Sequence, residues 1–169
     1  MDAAIPVVMF SGVLDSQMEF GVSVEDLFGR LNRSMYRNLD RRTFVCFVMG
    51  ELDPSTQTLR LSNGCCPYPY HYRASTGEIL EFQVDAYPLG VRPDTEYQVV
   101  ETQLQSGDRI IFCSDGIIEA ENTAGDQLGF EQTQEAIRKA CEDGLSAEAT
   151  INCILEVVDV FKGDAASGG

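Results

Sequence analysis

Positive charge and histidine are scarce in this chain. Twelve Lys and Arg stand against 27 Asp and Glu, a formal net charge of −15 over 169 residues. Such a surface repels phosphate backbones and anionic lipid headgroups, which argues against nucleic-acid and membrane binding and leaves divalent cations or a basic partner. Solubility alone would also account for the acidity. The single histidine is His71, and none of the six cysteines (Cys46, Cys65, Cys66, Cys113, Cys141, Cys153) forms a Cys-x-x-Cys pair, so a zinc site has little support. Most of these thiols lie in apolar runs, where they pack as small hydrophobes, and a reducing cytoplasm suits them better than secretion. Long apolar runs are missing too. Residues 1–10 are apolar but lack a basic leading segment and soon meet Ser11, Gly12 and Asp15, which fits neither a signal peptide nor a membrane span. No serine or cysteine sits in a nucleophile-elbow context, and Gly12, Gly21 and Gly29 match no phosphate-cradling loop. What remains is 44% hydrophobic and 23% charged, enough to build the core of one ordinary domain.

The order of elements reads as α+β. Residues 2–18 fit either a buried strand or a helix with its proline in the first turn, and length tips the balance to helix. Val24, Leu27, Phe28, Leu31 and Met35 keep helical spacing behind Ser23 and Asp26, which resemble a capping box, and that helix should end near Asn38. The apolar run Thr43 to Met49 predicts a strand buried on both faces and bounded by Gly50. After a turn at Asp53-Pro54-Ser55-Thr56, the alternation from Thr58 to Ser62 predicts a half-buried antiparallel partner. A second hairpin is expected from residues 70–73 and 79–82 around Ser75-Thr76-Gly77. A third is expected from residues 98–101 and 109–113 around Ser106-Gly107-Asp108. Two helices close the chain, one marked by Phe130, Thr133, Ile137, Ala140 and Cys141. The other is marked by Ile151, Ile154, Leu155, Val158 and Phe161, with Ser146 as its N-cap. Residues 163–169 carry no periodicity and read as a flexible tail.

One stretch stands out chemically: Arg109-Ile110-Ile111-Phe112-Cys113-Ser114-Asp115-Gly116. An apolar strand runs into a carboxylate, and the glycine behind it would let the chain turn away. Carboxylates held that way suit hard cations such as magnesium or manganese. On spacing alone the plainer alternative is favoured, in which Asp115 merely caps the next turn. Glu119, Glu121 and Asp126 lie nearby. The two glutamates could reach one cleft if residues 117–121 were extended, but solvated side chains are the simpler expectation. Asn63-Gly64-Cys65-Cys66-Pro67 reads as a turn, its vicinal thiols either a redox device or, more simply, two packed or half-exposed thiols.

Taken together, these segments resemble the SpoIIE-like branch of the PPM-type, metal-dependent serine/threonine phosphatases. Residues 104–120 are similar to that family's run of Gly-Asp, apolar strand, Ser/Thr-Asp-Gly and Glu-Ala, and Glu121-Asn122 with Gly125-Asp126-Gln127-Leu128-Gly129 continues it. Asn63-Gly64-Cys65-Cys66-Pro67 resembles the family's Asn-Ala-Gly-His-Pro, with Cys65 where glycine and Cys66 where histidine is usual. Pro88-Leu89-Gly90 looks like its Pro-Leu-Gly turn, and Leu31-Asn32-Arg33 and Phe44-Val45-Cys46 fit its helix and first strand.

The resemblance implies an α-β-β-α sandwich of antiparallel sheets flanked by helices, and it favours the helical reading of the chain's start. It also implies two manganese or magnesium ions and a metal-activated water that attacks phosphoserine or phosphothreonine. Asp115 becomes a metal ligand, with Ser114 and Gly116 shaping the turn that aims it. The implied substrate is a small phosphorylated protein resembling an anti-anti-sigma factor. Two family segments that supply further carboxylates, Asp-x-x-Gly-His-Gly and Asp-Asp, are not found in the chain. The expectation is therefore a single partial domain over residues 1–169, incomplete at both ends, inactive by itself and prone to self-association through unpaired strands. The alternative is a degenerate phosphatase fold that serves as a binding or scaffold module.

Overall fold

A computed structural model describes residues 4–163. In chain order the elements are α1 (Ala4–Glu19), α2 (Val24–Asn38), β1 (Phe47–Asp53), β2 (Thr58–Gly64), β3 (Tyr70–Arg73), β4 (Glu78–Glu81), β5 (Val100–Gln103), β6 (Arg109–Ile111), α3 (Asp115–Ile118), α4 (Gly129–Glu142) and α5 (Ala147–Lys162). They form two compact units. One comprises the chain up to Cys66 with Gln83–Leu104, the other Pro67–Phe82 with the chain from Gln105 on.

In the first unit, α2 begins where Ser23 accepts the Asp26 N–H, satisfying an amide that the first helical turn cannot. Its apolar stripe of Val24, Leu27, Phe28, Leu31 and Met35 is buried together with Leu89 and Tyr97. Met9, Phe10, Val13 and Leu14 of α1 and Phe47 and Met49 of β1 pack onto the same cluster, so residues 4–19 are helix rather than strand. β1 and β2 form an antiparallel hairpin from Asp53↔Thr58 to Phe47↔Gly64. β5 pairs with the other side of β2, Leu61 opposite Val100.

The expected strand over Thr43–Met49 is displaced. The ladder starts at Phe47 and runs through Gly50 to Asp53, and β1 is at most half-buried, not enclosed on both faces. The turn decides this. Asp53 accepts the Ser55 N–H at 2.8 Å and hydroxyl at 2.6 Å, and that closure sets the register even though it draws Glu51 and Asp53 into the strand. Ahead of the strand Val45 exchanges both backbone bonds with Leu89 at 3.0 and 2.8 Å.

The second unit holds the sheet β4-β3-β6. β3 and β4 form the expected hairpin, Tyr70↔Glu81 to Arg73↔Glu78. The third expected hairpin does not form: β5 lies on β2, whereas β6 pairs with β3, so the two strands belong to different sheets. Tyr70, Tyr72, Ile137, Cys141 and Ile154 make the core between the strands and helices α4 and α5. Ser146 caps α5 by accepting the Ala149 N–H, and Gly163 ends it in the left-handed conformation. The rest of the expected tail, residues 164–169, lies outside the described residues.

Candidate functional site

β6 is short, and what fixes it is a buried carboxylate at its start. Asp108 Oδ2 accepts from His71 Nε2 at 3.0 Å and from the Gln105 N–H at 3.0 Å, while Oδ1 accepts the Ala74 N–H at 3.0 Å. One side chain thus ties the start of β6 to β3 and to the residue that follows it. His71 is 2% exposed and stacks on Phe82 with the ring planes 2° apart. Burial pushes the Asp108 carboxyl up, but the hydrogen bonds from His71, Gln105 and Ala74 outweigh it and hold the group below the ordinary aspartate value. Gly107, just before it, has φ +91°, and a Cβ there would lie 3.0 Å from that of Ala74.

From this anchor the chain runs through Phe112 and Cys113 to the three predicted site residues. Ser114, extended at φ −84°, ψ 162°, is the N-cap of α3 but makes no side-chain cap bond. Asp115 opens the helical turn, exposed, with Oδ1 accepting the Gly116 N–H at 2.8 Å and its carbonyl accepting from Glu119. The carboxylate therefore stands at the start of a helical turn and not at the strand's last residue. Gly116 is helical, with a negative φ and no atom closer than 3.6 Å to a Cβ built on it. The conformational reason expected for that glycine does not hold. Residues 115–118 are helical and not extended, and Glu119 and Glu121 are exposed.

The run that follows is held by Asn122. Its Oδ1 accepts the N–H groups of Ala124 and Asp126, both at 2.9 Å, and Gly125 turns at φ +85°. Leu128, 3% exposed, anchors the loop against Ala120 and Val158. In the first unit, buried Asn63 accepts the Cys66 N–H and donates to the Cys66 carbonyl, both at 2.9 Å, and Cys65 between them has φ +71°. Asn32, 1% exposed, does the same for the Pro88-Leu89-Gly90 turn. It accepts from Gly90 at 2.9 Å and donates to Arg92 at 2.8 Å and Pro93 at 3.2 Å. These buried asparagines and the His71–Asp108 pair were not singled out from sequence. The signals available were the Asn and Gly-Asp positions inside the quoted signatures.

Metal binding is a separate question from loop closure. Among the described residues no three His, Cys, Asp or Glu side chains come together to hold an ion. Hard divalent cations need several oxygens, so Asp115 alone does not fit a two-ion centre.

Comparison with known proteins places this arrangement. The family described as Stage II sporulation protein E (SpoIIE) matches residues 1–167. The phosphoserine phosphatase RsbU of Bacillus subtilis (strain 168) is 22% identical over 123 residues, covering 73% of this chain and 37% of that protein. The PP2C phosphatase domain of the cell fate determinant SpoIIE from Bacillus subtilis, solved with a fragment of its regulatory domain, superposes with a TM-score of 0.77 at 16% identity. That match covers 95% of this chain and 46% of the other. The RsbU and RsbW domains of a Mycobacterium tuberculosis protein superpose at 0.79 and 18% identity, over 94% and 43%. The chain thus spans less than half the length of these relatives. Its mixed helices and antiparallel sheets have the PP2C-type phosphatase fold, in part, and with a family match over nearly its whole length the chain belongs to the SpoIIE family.

Proposed function

We propose that this chain is part of a single PPM-type phosphatase domain that removes phosphate from serine or threonine on a signalling protein. The observation that carries the reading is the exposed Asp115 at the start of α3, within a family match over residues 1–167. In this reading Asp115 is one ligand of a manganese or magnesium centre, and Ser114 and Gly116 form the turn that presents it. One relative was studied as a manganese-presoaked phosphatase domain of SpoIIE. Bound divalent ions would supply charge neutralisation at the phosphoryl group and an activated water. The described residues do not assemble that centre, so the chain by itself is expected to be inactive. The relatives named RsbU, one of them with an RsbW domain, favour a substrate resembling an anti-anti-sigma factor in a cytoplasmic sigma-factor pathway. No described helix is long and apolar enough to cross a membrane. The second reading is a scaffold module that keeps the fold without catalysis.

The test is manganese-dependent hydrolysis of a small aryl phosphate by this chain, by a protein extended at both ends, and by that protein carrying Asp115→Asn. Activity in the extended wild type alone is the expected result. Equal activity in the Asp115→Asn form would remove Asp115 from the metal site, and silence in all three would favour the scaffold.

A further inference from the structure

The β1–β2 ladder ends at Phe47↔Gly64, and the next residue on each strand is a cysteine, Cys46 on one side and Cys65 on the other. Both lie in the first unit, and both are exposed. Their backbones are pinned from either flank. Cys46 sits between Phe47, in the ladder, and Val45, which exchanges backbone hydrogen bonds with Leu89. Cys65 sits between Gly64, in the ladder, and Cys66, whose N–H and carbonyl are both held by the buried Asn63. Residues facing each other across an antiparallel ladder have Cα atoms about 4.5–5.5 Å apart. A disulfide requires about 4.4–6.8 Å. One step past the last pair, ladder geometry would keep the two Cα atoms near that range, and Cys65, at φ +71°, must turn its Cβ toward Cys46 for the bond to close.

Three of the other four cysteines are poorly placed to compete. Cys141 is buried and Cys113 partly so, which restricts the access of peroxide to both thiols. Cys66 is adjacent to Cys65, but closing a ring between neighbours requires a distorted peptide, and both sides of that peptide are already fixed by Asn63 and the Gly64 pairing.

We propose that Cys46 and Cys65 are a peroxide-reactive dithiol that closes a disulfide across the open end of the hairpin. The Cys65 thiolate attacks a peroxide oxygen, the O–O bond breaks, and Cys65 becomes a sulfenic acid with release of water. The Cys46 sulfur then attacks the sulfenic sulfur, forming the S–S bond and releasing a second water. Two thiols thus lose two electrons and two protons, and one hydrogen peroxide is reduced to two waters. This chemistry does not depend on the phosphatase reading.

The test uses the full chain and one equivalent of hydrogen peroxide, followed by alkylation in denaturant and tryptic mass spectrometry without reductant. Cleavage after Arg42, Arg60 and Arg73 puts Cys46 on residues 43–60 and both Cys65 and Cys66 on residues 61–73. The expected result is a drop from six alkylatable thiols to four in the monomer, with those two peptides linked. Cys66→Ser should keep the link, and Cys65→Ser should lose it. A ring within residues 61–73, a link that survives Cys65→Ser, or oxidised dimers alone would each overturn the proposal.

Discussion

At the scale of single residues, Asp108 carries the heaviest structural duty. A carboxylate that is 4% exposed and receives three hydrogen bonds cannot lose its charge without loosening all three. Its folded pKa is held below the ordinary value, so the stability it contributes is present above the unfolded aspartate value and is lost as pH falls through the folded one. Unfolding followed by circular dichroism should show Asp108→Asn costing about 2–4 kcal/mol at neutral pH, and progressively less as pH falls below the ordinary aspartate range. A cost independent of pH would mean that shape, not charge, holds β6. Cys65 makes the opposite case. A side chain at φ +71° costs about 1–2 kcal/mol relative to the right-handed region, while glycine gives back roughly 0.5–1 kcal/mol through its freer unfolded state. Cys65→Gly should therefore raise the melting temperature by about 2–4 °C. An unchanged or lower value would show that the thiol's contacts compensate for the strain.

At the scale of elements, legibility followed the range of the interactions. Helices α2, α4 and α5 were readable because their apolar stripes and their caps at Ser23 and Ser146 are local. The β3–β4 hairpin was readable because Gly77, at φ +69°, supplies the turn it requires. The supposed hairpin around Gly107-Asp108 had the same local appearance. Its strands instead find β2 and β3, and no pattern within fifteen residues reports that choice. α3 is a single turn, too short for a period to show. The candidate site was legible only as a signature. Asp108 and Asn122 occur in it because their hydrogen bonds close the turns around them, whereas Gly116 has no conformational reason.

Asn32 tests how one element holds another, since its amide is the link between α2 and residues 90–93. Asn32→Asp keeps the shape and the acceptor but turns the donor into a charge facing two carbonyl oxygens. Denaturation at pH 7 should show a loss of about 2–4 kcal/mol that shrinks on acidification, as the new carboxyl protonates and can donate again. A loss constant from pH 7 to pH 4 would exclude this electrostatic account.

For the whole molecule, two long-range effects oppose each other. A formal charge of −15 makes the folded chain repel itself, and it also keeps separate copies apart. Each sheet has three strands, so β1, β5, β4 and β6 have one ladder neighbour each among the described residues, and such edges favour pairing between chains. Salt acts on both effects, because the screening length falls from about 30 Å at 0.01 M to about 8 Å at 0.15 M. Raising salt over that interval should raise the melting temperature, as repulsion within the chain weakens. Over the same interval, sedimentation should begin to depend on protein concentration, as repulsion between chains weakens and the edges can meet. The two readings separate the causes. A melting temperature that rises while the chain stays monomeric would assign the acidity to intramolecular repulsion and leave the edges covered. Association at low salt, where repulsion is strongest, would mean that the edges outweigh the charge, and the expected self-association would then belong to the chain at every ionic strength.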